Sequence, residues 1–82
     1  MNKSYVLENF DDFTKKSLGK DYPSFTAATK SYWKMEEFLT VEEKMALSLL
    51  RVKLSYLKDN EESVKEFSSL CNAIRTELDR RL

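Results

Sequence analysis

Eighty-two residues, 41% hydrophobic and 34% charged, make one small domain, residues 1–82, whose folding hides only about 60–65% of the surface that the unfolded chain exposes. A single glycine and a single proline exclude a β-rich or loop-rich domain and leave an all-α fold. Lysine plus arginine and aspartate plus glutamate balance at 14 each, so no global field draws the chain to nucleic acid or to an anionic membrane, and any such binding needs a local cluster.

The first helix is predicted over about residues 4–18, with Val6, Phe10, Phe13 and Ser17 down one narrow face and Asp11 and Asp12 on its outer side. A break near Asn9 is the alternative, and Gly19 is suited to the left-handed position that follows a helix end. The connection Gly19-Lys20-Asp21-Tyr22-Pro23 is the one true loop, because Pro23 forces Tyr22 into an extended conformation and is welcome in the first turn of a helix. The second helix, about residues 24–39, lines up Phe25, Ala28, Tyr32, Met35 and Leu39, with Phe38 beside them. Thr40-Val41-Glu42-Glu43 has the spacing of a capping box, so a third helix, about residues 41–58, begins at once. With almost nothing between them, helices two and three should meet at a corner and not as a hairpin.

The third helix carries two apolar lines. Leu47, Leu50, Leu54 and Leu57 repeat at coiled-coil spacing, and Met45, Leu49, Val52 and Tyr56 repeat on the opposite side. Such a helix is flanked twice, with helices one and two expected on the second line. In the rival arrangement that line meets its own copy around a two-fold axis as a homodimer. Only the stripe Lys44, Ser48, Arg51, Ser55 and Lys58 is left for water. Asp59 and Glu62 have the spacing of a second box. The fourth helix, about residues 60–81, then presents Val64, Phe67, Cys71, Ile74 and Leu78 as a seam, with Leu70 and Leu82 beside it, and forms an antiparallel hairpin with the third. The expected architecture is a small bundle of four helices with that hairpin as its spine.

Most chemistry is excluded by composition. The chain has no histidine, which removes Ser-His-Asp and Cys-His catalysis and histidine-ligated metals. One cysteine cannot build a thiolate site, and Cys71 in an apolar seam reads as an inert, buried thiol. One glycine cannot make a phosphate-cradling loop. The acidic doublets Asp11-Asp12, Glu36-Glu37, Glu42-Glu43 and Glu61-Glu62 read as solvated faces and helix starts, since adjacent helical residues diverge by about 100°. No catalytic residue, cofactor or metal is expected, and the chain is not read as an enzyme. An unpaired cysteine, an acidic Glu8 where a signal peptide would be apolar, and no run of about 18–20 apolar residues point to a cytoplasmic protein without a membrane span. The initiating Met1 suits a complete product.

Binding is what remains. Trp33 lies off the apolar line of its helix, near Lys30 and Glu37, and with Tyr22 could fill a partner's pocket, as tryptophan and tyrosine do at interface hot spots; otherwise helix one or another subunit covers it. The leading expectation is a non-catalytic protein-binding module, such as an adaptor, immunity factor or inhibitor of a larger protein. The alternative is a small nucleic-acid-associated regulator that uses Lys44, Arg51, Lys53 and Lys58 as an anion-binding stripe.

Overall fold

The computed structural model describes residues 2–19, 21–57 and 59–82. Four α-helices follow one another, α1 (Lys3–Ser17), α2 (Tyr22–Met35), α3 (Val41–Tyr56) and α4 (Glu61–Arg81), with a 3₁₀ turn at Glu36–Phe38 between α2 and α3. The chain is an all-α bundle, and no strand occurs among the described residues.

Every helix begins on a side-chain cap. Asn2, Asp21, Thr40 and Asn60 each accept from the backbone N–H three residues on, at Tyr5, Ser24, Glu43 and Ser63, which satisfies donors the first turn would otherwise leave unpaired. Thr40 and Glu43 complete the expected box, with Glu43 Oε1 accepting from Thr40 N at 2.9 Å. At α4 the cap is Asn60 and not the Asp59–Glu62 box. Asparagine caps as well as aspartate, and this register still leaves Glu61 and Glu62 in the first turn, where the macrodipole favours them. The Asp21 cap lets α2 start earlier than expected, at Tyr22, with Pro23 inside its first turn. At its other end α2 stops at Met35 and tightens into the 3₁₀ turn, which delivers Leu39 to the core.

Helix α1 runs unbroken past Asn9, whose side-chain amide donates to Tyr5 O at 2.9 Å. Gly19 does not take the left-handed conformation expected of it. Its lack of a side chain serves a close approach instead, since a Cβ there would stand 2.7 Å from Ser24 Cβ and 3.1 Å from Lys16 O. That approach folds α1 and α2 into a tight hairpin.

Helix α1 packs along α2 and along α4, and α3 packs along α4. Ties between the helices fix their directions. Asp12 with Ser31 and Gly19 with Ser24 set α1 antiparallel to α2. Lys3 with Asp79 and Asp11 with Arg75 set α1 antiparallel to α4. Glu43 with Arg81 and Lys53 with Glu66 do the same for α3 and α4. The core is built on the Phe13 ring, 6.2 Å from Phe10, 6.0 Å from Phe67 and 5.3 Å from Tyr32. Val6, Met35, Leu47, Leu54, Cys71, Ile74 and Leu78 close around it.

Two expectations are corrected here. Helices α1 and α2 do not cover the second apolar line of α3, because the narrow stripe of α1 is spent on α2 and α4. Leu57 also leaves the first line, since α3 ends at Tyr56 and Leu57 turns outward in a non-helical conformation. The fourth seam of the bundle, between α2 and α3, consequently stays open as a cleft of about 210 Å³ lined by Phe13, Phe25, Tyr32, Leu47, Arg51 and Val52, with Ser48 and Ser55 at its side.

Candidate functional site

Helix α3 divides into three strips. Its inner strip, Leu47 and Leu54, is 1% and 2% exposed. Directly opposite, by 100° per residue, stand Val41, Met45, Leu49, Val52 and Tyr56, from 57% exposed at Val52 to 82% at Tyr56. The polar strip with Ser48, Arg51 and Ser55 lies between them and looks into the cleft. Ser48 and Ser55 of the expected polar stripe are exposed as anticipated, whereas Arg51 turns inward and the second apolar line is not covered by α1 or α2.

Among the described residues, Arg51 is the one member of the polar strip that binds the other helices. Its Nε donates to Ser17 Oγ of α1 at 3.1 Å, and its Nη1 donates to Thr29 Oγ1 of α2 at 3.2 Å. Its Nη2 donates to the Phe25 carbonyl. The guanidinium also lies over two rings, 4.2 Å from the centroid of Phe25 and 5.6 Å from that of Phe13. None of the three acceptors is charged, and partial burial pulls the guanidinium below its ordinary pKa. It remains a cation, because arginine starts so high. Arg51 thus clamps three helices where an apolar contact would otherwise close the bundle. A signal for this was present in the sequence: Ser17 falls on the apolar line of α1, and a polar side chain in a core position needs a partner.

The candidate anion stripe is accordingly not a row of free cations. Arg51 is turned inward, and Lys53 holds Glu66 at 2.8 Å. Lys44 is half-buried beside Val41, Met45 and Leu49 in a shallow apolar hollow. Lys58 lies outside the described residues.

Trp33 is 65% exposed and Tyr22 75%, so no helix of the chain covers either. Both sit on one side of α2, but eleven residues of helix separate them by about 16 Å. Tyr22 therefore does not complete a patch with Trp33. Lys30, one turn before Trp33, is exposed, and so is Glu37, although Glu37 belongs to the 3₁₀ turn and not to the helix. Trp33 also stands one turn beyond Thr29, a ligand of the Arg51 clamp.

Cys71 is buried, and burial pushes its thiol up to about 11 against the opposing pull of a hydrogen bond with Thr14. At neutral pH it is a packed apolar group and not a nucleophile. Tyr32 at the cleft is also raised, by burial and then by Glu36. No helix among the described residues is long and apolar enough to cross a membrane. No protein-family profile matches the chain, and neither a curated protein nor a solved structure matches it significantly.

Proposed function

We propose that this protein is a non-catalytic protein-binding module, an adaptor, immunity factor or inhibitor, whose docking surface is the outer strip of α3. One observation carries the reading: Val41, Met45, Leu49, Val52 and Tyr56 stand in water along a single line four turns long. A lone exposed leucine means nothing, since apolar atoms supply more than half of any protein surface. Five large apolar side chains in helical register are different, because contiguous patches of this kind mark interaction sites. Their spacing offers the anchors by which one amphipathic helix recognises another. Trp33, on α2, is a second and separate anchor.

The lack of histidine and the sealed thiol of Cys71 favour a binding role over a catalytic one. The nucleic-acid reading is weakened because Arg51 and Lys53 already have partners within the chain. The test is affinity capture with the wild-type chain, Leu49→Asp, Trp33→Ala and Lys44→Ala, each with and without nuclease. A protein retained after nuclease, lost with Leu49→Asp and kept with Lys44→Ala, is the expected result. Recovery that disappears on nuclease treatment would reverse the reading in favour of nucleic acid.

A further inference from the structure

Resting on that reading, we infer that the occupant of the outer strip is a second copy of this chain, lying antiparallel on α3 about a two-fold axis. The register is the first reason. Met45, Leu49, Val52 and Tyr56 are spaced four, three and four residues apart, the alternation of a coiled-coil seam. When two such helices run antiparallel with the axis between Leu50 and Arg51, the set closes on itself. Met45 faces the copy's Tyr56, and Leu49 faces the copy's Val52, with both pairings repeated by symmetry. A flexible thioether then meets an aromatic ring, and two branched aliphatic side chains fill the centre. All four of these side chains have a counterpart, while Val41 lies beyond the paired segment.

The flanks are the second reason. Beside the seam stand Ala46, Ser48 and Ser55. Of the charges near it, Lys53 is held by Glu66, Lys44 borders Met45 and Leu49 in the shallow hollow, and exposed Glu42 stands one heptad before Leu49 at the end of the line. Charged flanking positions are what select a foreign helix by sign. Small, uncharged positions such as Ala46, Ser48 and Ser55 set no such selection and let two helices approach to about 8–10 Å. Antiparallel pairing also opposes the two macrodipoles.

Area is the third. Four side chains at about 60–120 Å² of apolar surface each, with their flanks, bury at most roughly 1,000 Å² in total over two copies, the size of a weak, transient interface. The outer strip is exposed along its whole length, with only Val52 also bordering the cleft, so nothing in the fold has to move for a copy to dock. The expected dimer is reversible, with a dissociation constant on the order of micromolar.

Sedimentation equilibrium of the full chain across about 1 to 200 µM tests this. The mass should rise from one chain to two, while Leu49→Asp should stay monomeric throughout with the same far-ultraviolet circular dichroism. Orientation is read from single-cysteine variants under mild oxidation: Leu49→Cys mixed with Val52→Cys should link to each other in preference to either alone, Cys71 being buried and unreactive. A link that forms only between two Leu49→Cys chains would overturn the antiparallel arrangement. A wild-type chain that stays monomeric over the whole range would overturn self-pairing altogether. In that case a foreign protein held by the wild type and lost with Leu49→Asp leaves the outer strip as a docking surface, whereas no retained protein removes both readings.

Discussion

Leu47 and Leu54 on one side of α3, and Met45, Leu49, Val52 and Tyr56 on the other, are drawn from the same class of residue and rise along the same helix, yet one line is sealed and the other is bare. Hydrophobicity did not choose between them. The choice was made by what each neighbouring helix had left to offer. Helix α4 presents Phe67, Cys71, Ile74 and Leu78, which take the inner line. Of its apolar side chains helix α1 buries only Val6, Phe10 and Phe13 fully, and these go to the core it shares with α2 and α4, Phe13 alone of them reaching the cleft beside Arg51. Helix α2 approaches α3 from the side, where Arg51 meets it with hydrogen bonds. A small chain can form more apolar faces than it has helices to cover, and the surplus face is where an external contact belongs.

The sharpest way to break this comparison is to place the same charge on each line. Leu54→Asp buries a carboxylate with no partner, and the expected loss of about 4 kcal/mol or more is most of the stability of a domain this size. Circular dichroism should report an unfolded or non-cooperatively melting chain. Leu49→Asp at the opposite pole should change monomer stability by no more than about 0.5 kcal/mol. Equal effects at the two positions would mean that the outer line is covered within the monomer after all. Arg51 comes next. Replacing it with alanine strands Ser17 Oγ inside the core and empties the space over the Phe25 ring, so about 2 kcal/mol should be lost in urea denaturation. Arg51→Lys should recover less than half, because an ammonium cannot fork to three acceptors on two helices. A neutral Arg51→Ala would show that the clamp is incidental and that α2 holds its place without it.

The fold was legible wherever a local signal was strong. Helix number, the Thr40 box, the α3–α4 hairpin and the buried faces of α1 and α4 follow from period and capping, and these are interactions over three or four residues. The site was half legible. The outer line of α3 is legible as a line and, in the homodimer alternative, as a face bare on the single chain. Period alone does not decide between that and cover by helices one and two, because exposure depends on how many other helices compete for it. Arg51 was misplaced for the same reason. In sequence it belongs to a polar stripe, and only the approach of Phe25, Thr29 and Ser17 from two distant helices turns it inward. Tyr22 is expected in the extended loop before Pro23, whereas the Asp21 cap makes it the first residue of the helix that carries Trp33.

The smallest expected effect concerns the lock that sets how α3 is rotated. Glu43 stands one turn before Leu47 on the inner line. It accepts from Thr40 N and from both terminal nitrogens of Arg81, at 3.1 and 2.8 Å, while Arg81 also donates to the Phe38 carbonyl at 2.9 Å. Burial by itself would raise the Glu43 carboxyl, but the hydrogen bonds from Arg81 and Thr40 outweigh it and hold the group below the usual glutamate range. A carboxyl lowered on folding contributes its full stability above the unfolded value of about 4.3, and loses that contribution as pH falls through the lower folded value. Glu43→Gln should therefore cost about 1 kcal/mol at pH 7, a modest figure because the pair is partly solvated. The gap between wild type and variant should close below about pH 4. Asp12 and Asp79, lowered mainly by hydrogen bonds with Lys16 and Lys3, lose their own contributions in acid, but they do so in both proteins and drop out of the difference. A gap that stays constant into acid would assign the cost to the geometry of the cap and not to the charge on Glu43, and would leave the inner line, not its polar end, as what fixes which face of α3 looks outward.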